Sequence, residues 1–417
     1  MLLKNSKIVD MIWNQYIKRI IDVCEVIAGQ SPEGKYYNKG GDGLPFYQGK
    51  KEFTDREIGV PTTWTRKTTK EAFAGDILMS VRAPVGPINL CTQHICIGRG
   101  LAAIRASVKV NRDYLFYYLL KHEAEIVGNT GAVFNSINKT QIGHIPIPIP
   151  PIQEQKQIVE ILDKAFTAID QAKANIEKNI VNAKELFQSK LNAIFSQKGD
   201  GWEEKTLGEV CLKITDGAHH SPKVLYPEKT PGLYPYVTSK NIRNNYMDFS
   251  KLQYVDEAFH DPNFLRCAPE LGDVLLTKDG ANTGNITINT LDEPYSLLSS
   301  VALIKTNKEK LYPSFLKYYI QSPLGFKSIT GKMTGAAIKR IILRSIKNAK
   351  MNIPDIDIQN HYILNIEKLL VDTDKITNAY SKKLINIDDL KKSLLQKAFA
   401  GELTSASSVT THKGVPV

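Results

Sequence analysis

The sequence predicts an α+β fold in which two mixed α/β domains are joined by two long helices, and the second half of the chain repeats the first. The chain has 417 residues, which is too many for one ordinary hydrophobic core. Two proline-containing stretches, at 147–151 and 351–354, each run into a long segment whose apolar residues have helical spacing. The two segments match at a constant separation, which indicates an internal duplication.

The duplication has a rear part of fixed length and a front part of variable length. The matched pairs in the rear, all 204 positions apart, are Ile149 with Ile353, Pro150 with Pro354, Gln155 with Gln359, Leu162 with Ile366, Leu191 with Leu395 and Phe195 with Phe399. Upstream the separation falls to 197 where residues 74–81 match residues 271–278, and to 187 where residues 22–24 match residues 209–211. Insertions and deletions are therefore confined to the fronts.

Each rear segment is predicted to be a helix of about 45 residues, or about 65 Å. Its apolar residues step by four and three, which keeps one narrow seam facing a partner helix. The residues expected to pack between the helices are Ile158, Leu162, Ile169, Ile176 and Ile180 in the first and Ile366, Leu369, Ile376, Leu384 and Ile387 in the second. Helices of equal length can pair with each other, which we favour; alternatively, each seam packs on its own front domain.

Proline explains where the helices start. It lacks an amide donor, so it fits an edge strand or the first turn of a helix but not the helix interior. The domain assignment that follows is a first domain at 1–150, a first long helix at 151–198, a second domain at 199–355, a second long helix at 356–403 and a disordered tail at 404–417.

The fronts have the pattern of mixed α/β domains. Short apolar runs between glycine and proline turns, such as those at 76–81, 273–278 and 300–305, predict strands. Residues 112–123 and 312–322 predict a matching pair of amphipathic helices. Their aromatic side chains are expected in the core rather than on a ligand.

Composition and charge indicate a globular protein with a polyanionic partner. With 42% hydrophobic and 23% charged residues, the chain does not have a disordered composition. Its net charge of +11 favours a polyanion such as nucleic acid, although a basic protein without such a partner is the alternative. The sequence predicts no membrane span and no secretory signal, and its five scattered cysteines suit the reducing cytoplasm.

Motifs for catalysis are missing from the sequence. No Asn or Asp is followed by Pro-Pro and an aromatic residue, which is the pattern of an amino-methyltransferase; the single Pro-Pro, at 150–151, lies between isoleucines. There is no P-loop and no dinucleotide-binding glycine motif, and residues 280–284 (GANTG) lack the lysine that a phosphate loop needs. The sequence therefore predicts no catalytic residues.

Three small clusters each have a catalytic or metal-binding interpretation as well as a structural one. They are Glu33 with Lys35, Cys91 with His94 and Cys96, and Asp216 with His219 and His220. The first resembles a nuclease Glu-x-Lys but lacks a paired upstream acid, so a turn is favoured. The second lacks a fourth metal ligand and is missing from the second copy, so a partly buried strand is favoured. For the third, a polar turn is favoured over a metal site, and no metal is expected.

Five stretches together resemble the specificity (S) subunit of Type I restriction-modification systems, the HsdS family. They are GLPFYQGK at 43–50, AGDILMSVRAPVG at 74–86, IPIPPIQEQ at 147–155, ITDGAHHSP at 214–222 and LLQKAFAGEL at 394–403. Each stretch is weak alone, but the set has the order and the duplication of that family over nearly the whole chain. One departure is Ile358-Gln359, where the first copy has Glu154-Gln155.

The resemblance implies a non-catalytic DNA-binding protein. It implies two target recognition domains, each reading one half of a bipartite, asymmetric target with a non-specific spacer, and an antiparallel helix pair that holds them apart. Expected partners are double-stranded DNA, two modification (methyltransferase) subunits and, through the complex, restriction subunits. No cofactor is expected on this chain; S-adenosylmethionine, ATP and Mg are expected on the partners.

Polar and basic side chains in the front loops are the candidate DNA contacts. Lysine and arginine neutralise phosphates, whereas amides, guanidiniums and hydroxyls read base edges. The candidates are Gln48, Lys50, Arg82 and Arg99 in the first half and His219, His220, Ser239, Lys240, Asn241, Lys278, Lys339 and Arg340 in the second. Two other functions are the alternatives: a self-sufficient DNA methyltransferase or nuclease, opposed by the missing motifs, and a structural coiled-coil scaffold, opposed by the basic fronts.

If the long helices set the distance between the half-sites, shortening them should shorten the preferred spacer. Deleting 166–172 and 370–376 removes one heptad from each helix, or about 10 Å at about 1.5 Å per residue. The spacer should shorten by at most about three base pairs, because B-DNA rises about 3.4 Å per base pair. Selection from a library of randomised spacers measures the preference. An unchanged spacer in a folded, DNA-binding variant would show that the helices do not set the distance.

Overall fold

The computed structural model describes residues 16–123, 136–199, 201–331 and 340–405. The chain divides into two compact units, and each long helix contributes to both. The first unit contains residues 1–176 and 382–417, and the second contains residues 177–381. Each unit has its own sheets and its own hydrophobic core.

Most strands of the first unit precede its helices, and one further strand leads into the first long helix. Its elements are β1 (Ile17–Arg19), α1 (Ile20–Val23), β2 (Cys24–Ala28), β3 (Tyr37–Asn38), β4 (Leu44–Tyr47), β5 (Trp64–Thr65), β6 (Glu71–Ala72), β7 (Ile77–Ser80), β8 (Ile88–Leu90), β9 (Ile95–Ile97), β10 (Leu101–Ala106), α2 (Arg112–His122), α3 (Lys139–Gly143) and β11 (Pro146–Pro148). The first long helix, α4 (Ile152–Phe195), follows.

The second unit repeats this order with changes in its middle. Its elements are β12 (Trp202–Thr206), α5 (Leu207–Val210), β13 (Cys211–Asp216), β14 (Leu233–Val237), β15 (Gln253–Asp256), α6 (Glu257–Cys267), β16 (Val274–Thr277), β17 (Ile286–Ile288), β18 (Ser296–Leu297), β19 (Val301–Thr306), α7 (Pro313–Gln321), α8 (Pro323–Thr330), α9 (Leu343–Asn348) and β20 (Lys350–Pro354). The second long helix is α10 (Ile356–Phe399), and the short α11 (Glu402–Ser405) follows in the first unit.

An antiparallel four-stranded sheet is the centre of each unit. Its strand order is β2-β10-β7-β8 in the first unit and β13-β19-β16-β17 in the second. The central strands β7 and β16 are buried along their whole length. Their side chains alternate between two cores, since Ile77 and Met79 pack with the helices whereas Leu78 packs with the second sheet. A sheet covered on both faces explains why these strands read as continuous apolar runs.

Each four-stranded sheet has an ion pair at the end where its central strand begins. Arg105 in β10 binds Asp76 with an Nη2–Oδ2 distance of 2.8 Å, and Lys305 in β19 binds Asp273 with an Nζ–Oδ2 distance of 2.9 Å. The two aspartates are at matched positions of the two copies. This pair is therefore part of the repeated fold.

The second sheet differs between the units. It has the strand order β3-β5-β4-β9-β6 in the first unit and β15-β14-β18 in the second. One feature is shared: β4 runs parallel to β9, and β14 runs parallel to β18. The variable length of the fronts thus falls mainly in this sheet and its loops.

The proline-rich stretch before α4 forms a two-stranded ribbon with the start of the front. β11 pairs with β1, and β20 pairs with β12 in the second unit. Each ribbon has only two strands, so both are edge strands, where proline is tolerated although it has no N–H to donate. The hydroxyl of Tyr114 on α2 donates to the carbonyl of Pro148 at 2.9 Å, and the hydroxyl of Tyr319 on α7 donates to that of Lys350 at 2.5 Å. The aromatic residues of these two helices are buried, as expected.

Within the first unit, the start of α4 and the end of α10 pack together in antiparallel fashion. Lys391 forms an ion pair with Asp170 and lies over the ring of Phe166, while Thr404 of α11 donates to Glu154 at 3.0 Å. Residue numbers thus fall along one helix as they rise along the other. The same helix ends also pack on the front, because Ile158, Leu162 and Phe399 share a core with α2.

Within the second unit, the end of α4 and the start of α10 also pack in antiparallel fashion. Asn179 Nδ2 donates to the hydroxyl of Tyr380 at 3.4 Å, and the hydroxyl of Tyr362 donates to Gln197 at 2.5 Å. The predicted α+β fold with two paired long helices is confirmed. Both packing alternatives contribute, since the helix ends contact their fronts as well as each other.

The expected interhelix residues differ in burial. Ile158, Leu162, Ile169 and Ile366 are buried, and Ile176, Ile180, Leu369, Leu384 and Ile387 are half-buried. The prediction that Ile376 packs between the helices is wrong, because this residue is 47% exposed. Thr377 is half-buried instead, because the inward step from Thr373 is four residues rather than three. Of the expected tail, Thr404 lies in α11, whereas residues 406–417 lie outside the described residues.

A buried glutamine ties each long helix to its front. Gln155 Oε1 accepts from the backbone N–H of Asn111 at 2.8 Å, and its Nε2 donates to the carbonyls of Lys109 and Pro150 at 3.1 and 2.7 Å. Asn111 is the N-cap residue of α2, so one side chain connects the start of α2 to the start of α4 and to the proline before it.

Gln359 repeats this tie in the second unit. Its Oε1 accepts from the N–H of Tyr312 at 3.0 Å, and its Nε2 donates to the carbonyls of Lys310 and Pro354 at 2.8 and 2.9 Å. Both glutamines are 0% exposed. The partners of both glutamines are backbone groups. The change of the preceding residue from Glu154 to Ile358 therefore does not affect these hydrogen bonds.

We expect Gln155→Ala to lower the free energy of unfolding by about 2–4 kcal/mol, because it leaves one backbone donor and two carbonyls without their partner. Denaturant unfolding of the full chain measures this, and amide exchange at Asn111 should become faster. Gln157→Ala, at an exposed position one half-turn away, is the control. If the two variants unfold within about 0.5 kcal/mol of each other, the tie does not stabilise the unit.

Candidate nucleic-acid interface

Loops from several strands meet at one edge of each unit. In the first unit β2 and β7 are both antiparallel to β10, so both end beside its start. β4 is parallel to β9, and only residues 98–100 separate β9 from β10, so β4 ends at the same edge. In the second unit β13, β16, β14 and β18 end around the start of β19 in the same way. We call these loops the loop edge: residues 29–32, 48–50, 81–87 and 98–100 in the first unit and 217–222, 238–241, 278–285 and 298–300 in the second.

A glycine lets the chain pass closely over the neighbouring strands at each loop edge. A Cβ atom on Gly29 would lie 2.2 Å from the carbonyl oxygen of Gly98, and one on Gly217 would lie 1.9 Å from that of Leu297. Real Cβ atoms do not approach backbone so closely, so only glycine fits either position. The loop edge is thus a repeated feature of the fold, whichever side chains it presents.

Two of the candidate residues in the first unit are brought together by Ser31. The hydroxyl of Ser31 donates to Gln48 Oε1 at 3.3 Å and accepts from the backbone N–H of Arg99 at 3.2 Å. The side chains of Gln48 and Arg99 are exposed. Ser31 thus holds the amide of Gln48 near the backbone of Arg99, and amides and guanidiniums are the groups that read adenine and guanine edges.

The other two candidates of the first unit, Lys50 and Arg82, are both exposed, and Lys50 lines a cavity. Lys50 is exposed on the 3-10 helix Lys50–Glu52 and lines a cavity of about 540 Å³ with Pro84, Val85 and Glu123. Burial raises the pKa of Glu123, although the charge of Lys50 opposes this. Arg82 is exposed on the loop after β7 and pairs through its backbone with Ser136.

In the second unit, Ser300 connects the loops that follow β14 and β16. Its hydroxyl accepts from the backbone N–H of Ser239 at 3.3 Å, and its carbonyl accepts from the N–H of Lys278 at 2.9 Å. The next residue, Asp279, forms a bridge with Arg340 and an ion pair with it at 3.8 Å. His219, His220, Lys240 and Arg340 are exposed, and Ser239 is half-buried. Lys339 lies outside the described residues.

Two candidates are corrected by their burial. Asn241 is 4% exposed, and its amide binds the backbone N–H of Thr238 at 3.0 Å and the carbonyl of Asp248 at 3.1 Å. Lys278 is 2% exposed and forms an ion pair with Asp216 at 3.1 Å. Both side chains shape the loop edge from beneath rather than presenting a group at its surface.

Asp216 is the most heavily hydrogen-bonded carboxylate at this edge. Its Oδ1 lies 3.0 Å from both His219 Nε2 and Arg266 Nη2, and its Oδ2 lies 3.1 Å from Lys278 Nζ. Burial by itself raises the pKa of Asp216, but the hydrogen bonds from His219, Lys278 and Arg266 outweigh it and hold the pKa below its usual value. The carboxylate is therefore ionised at neutral pH.

The clusters with a possible catalytic or metal-binding role have other partners. Glu33 and Lys35 form an exposed ion pair at 2.6 Å beside the 3-10 helix Gly34–Tyr36. Cys91 and Cys96 are buried, whereas His94 is exposed, lies 2.9 Å from Glu71 and stacks on Phe73. Among the described residues, no group of three or more His, Cys, Asp or Glu could hold a metal ion. At Asp216, the two oxygens are instead bound by cationic side chains.

Some residues of the interface could not be found from the sequence. Ser31 and Ser300 are single serines in loops, and no motif marks them as connectors. Arg266 lies on α6, at the end of a helix that the sequence comparison of the two copies leaves unmatched. The sequence did mark Gln155 and Gln359, which lie at matched positions of the two copies. These residues connect the long helices to the fronts and do not belong to the loop edge.

In the described part of the chain, no helix is long and apolar enough to cross a membrane.

Residues 13–181 and 199–386 match the family of Type I restriction modification DNA specificity domains. Relatives include the EcoBI specificity subunit of Escherichia coli, 23% identical over 85% of this chain and 82% of that one, and the MjaIX specificity subunit of Methanocaldococcus jannaschii, 23% identical over 93% of each. A shorter match, 44% identical over 163 residues and 38% of each chain, is to the MjaX specificity subunit of the same archaeon.

Solved structures show the same fold. One, reported for complex assembly and conformational transition of the type I R-M system, superposes with a TM-score of 0.73 at 18% identity over 93% of this chain and 97% of its own. The HsdS subunit of Thermoanaerobacter tengcongensis has a TM-score of 0.56 at 16% identity over 93% and 96%. The two family matches coincide with the two copies of the repeated fold. The chain belongs to the Type I restriction-modification DNA specificity family, and it is a non-catalytic DNA-recognition subunit.

Proposed function

We propose that the chain reads a bipartite DNA target, with one half-site bound by the loop edge of each unit and a non-specific spacer between them. The observation that carries this proposal is that the same edge occurs twice on the same fold but presents different side chains. In the register of the parallel strands, Gln48 and Arg99 of the first unit correspond to Thr238 and Ser299 of the second. Different groups at matched positions select different bases, so the target is asymmetric.

The partners follow from the same duplication. We propose that two modification subunits bind, because a repeated frame offers a repeated docking surface, and that restriction subunits join through the complex. S-adenosylmethionine, ATP and Mg then belong to those partners, and this chain binds no cofactor. The free thiols of all five cysteines are compatible with action in the cytoplasm, which we propose as its location.

We expect the purified chain to bind duplex DNA with a steep salt dependence and to transfer no methyl group. The +11 charge supplies phosphate contacts, and about six of them would cost about a thousandfold in affinity between about 50 and about 200 mM salt. Fluorescence anisotropy against random and target duplexes measures the affinity, and tritiated S-adenosylmethionine measures methyl transfer.

Adding a cognate modification subunit is the control for the assay, since methyl transfer should appear only then. A shallow salt dependence would count against phosphate-driven binding. Methyl transfer by the chain alone would contradict the assignment of chemistry to the partner.

We expect exchange of the second front for that of a related chain to change one half-site and leave the other unaltered. The exchange should cover residues 202–354, because β12 and β20 form one ribbon and need to come from the same parent. Gln359 can hold the new front because its three partners are backbone groups. Methylation mapping of DNA from cells that contain the complete system gives the new target.

The reciprocal exchange of the first front, with the second left in place, is the matched control. It should alter only the other half-site. A chimera in which one exchange altered both half-sites would show that the units do not read DNA independently.

A further inference from the structure

The loop edge of the second unit contains a buried carboxylate, Asp216, with three basic side chains of unequal exposure around it. The side chains of Asp216 and Lys278 are 3% exposed, whereas those of Arg266 and His219 are 47% and 51% exposed. The inner ion pair is thus fixed within the unit. The outer two groups are held by Asp216 but face solvent.

The first unit has no equivalent of this cluster. Asp216 pairs with Ala302 in the sheet as Ala28 pairs with Ala102, so Ala28 is at the position of Asp216. In the same way, the register of Ser80 and Thr277 places Val81 at the position of Lys278. An alanine and a valine satisfy the fold there, so the fold does not require the buried ions.

Arg266 comes from a helix that the matching described segment of the first unit lacks. The segment 66–76 of the first unit forms β6 and no helix, whereas the second unit inserts α6 before β16. Two contacts fix α6 on β14 and β18: His260 stacks on Tyr234 with ring centroids 3.7 Å apart, and its Nδ1 lies 3.0 Å from the hydroxyl of Ser296. Arg266 Nε also donates to the backbone carbonyl of Asp216 at 3.2 Å.

The cluster has an excess of positive charge. Asp216 offsets only one of the two full charges of Lys278 and Arg266. The neighbouring Asp279 is already paired with Arg340 at 3.8 Å. The remaining positive charge lies on the exposed guanidinium of Arg266, where an anion from outside the chain can reach it.

The atoms left free suit one phosphate rather than a base edge. Arg266 uses Nε for the carbonyl of Asp216 and Nη2 for its carboxylate, with His219 Nε2 2.9 Å from the same Nη2. Within the described residues, Arg266 Nη1 has no partner, and neither has His219 Nδ1, which carries the hydrogen in the tautomer whose Nε2 accepts from Arg266 Nη2. Bidentate recognition of guanine takes two guanidinium nitrogens, whereas a phosphate oxygen can be bound by one.

We propose that Arg266 and His219, held by Asp216, form a binding site for a DNA backbone phosphate in the half-site of the second unit. The site rests on the proposed function, since its ligand is the DNA that the unit reads. It anchors the backbone without reading sequence, while Ser239 and Lys240 on the adjacent loop are left to contact bases.

The test measures the dissociation constant of the full chain for several duplexes of different sequence across a range of salt. Arg266→Ala should weaken binding to all of them by the same factor, about tenfold at moderate salt. It should also reduce the slope of log affinity against log salt by about 0.9, the value for one lost phosphate contact. Arg266→Lys keeps the charge and should retain the slope.

Arg19→Ala is the charge-matched control, because Arg19 precedes β2 at the end opposite the loop edge and is paired with Asp22. It should leave the slope unchanged. Loss confined to duplexes altered at one base pair, with the slope retained, would overturn the phosphate site in favour of base reading. If Arg266→Ala has the same affinity and the same slope as wild type, Arg266 does not contact DNA. Absence of DNA binding by the wild-type chain would instead contradict the proposed function itself.

Discussion

The hydrogen bonds of Gln155 and Gln359 are the constraint on which the rest of the structure depends. Each amide joins the first turn of a long helix to the N-cap of the aromatic helix and to the proline two residues before the long helix begins. No insertion between the ribbon and the helix could keep these three backbone groups in reach of one side chain. This explains why the segments 150–155 and 354–359 keep the same internal spacing, 204 positions apart, while the fronts change length.

Because the tie uses only backbone groups, it places no demand on the side chains of the front. The four-stranded sheet needs apolar residues on both faces, and glycine is needed where Gly29 and Gly217 pass over their neighbours. Outside these positions the loops can change without disturbing the frame. A fixed rear and a free loop edge are what a subunit needs if its target is to change while its partners stay the same.

The sequence was sufficient for the parts of this design that rest on local patterns. The long helices, the buried strands β7 and β16 and the buried aromatic helices all follow from periodicity and repetition. The candidate interface was predicted less well, because the exposure of a polar loop residue depends on distant partners. Lys278 is buried because Asp216, on another strand, neutralises it, and Arg266 reaches the same carboxylate from an inserted helix. The prediction for Ile376 was wrong for a simpler reason. The inward-facing residue after Thr373 is four positions further along the helix, whereas a spacing of three was expected.

The duplication also separates ions that serve the fold from ions that serve recognition. Asp76 with Arg105 and Asp273 with Lys305 occur in both units, at the end of the sheet where the central strand begins. Asp216 with Lys278 occurs in one unit only, at the opposite end, where the first unit has Ala28 and Val81. Comparing the two copies shows which charges the fold needs. A charge that the fold needs is present in both copies, whereas a charge that the fold does not need can be replaced by an apolar residue in one of them. The fold therefore does not require the buried pair at the loop edge. We attribute the pair to DNA binding, because its carboxylate orients the exposed side chains of Arg266 and His219.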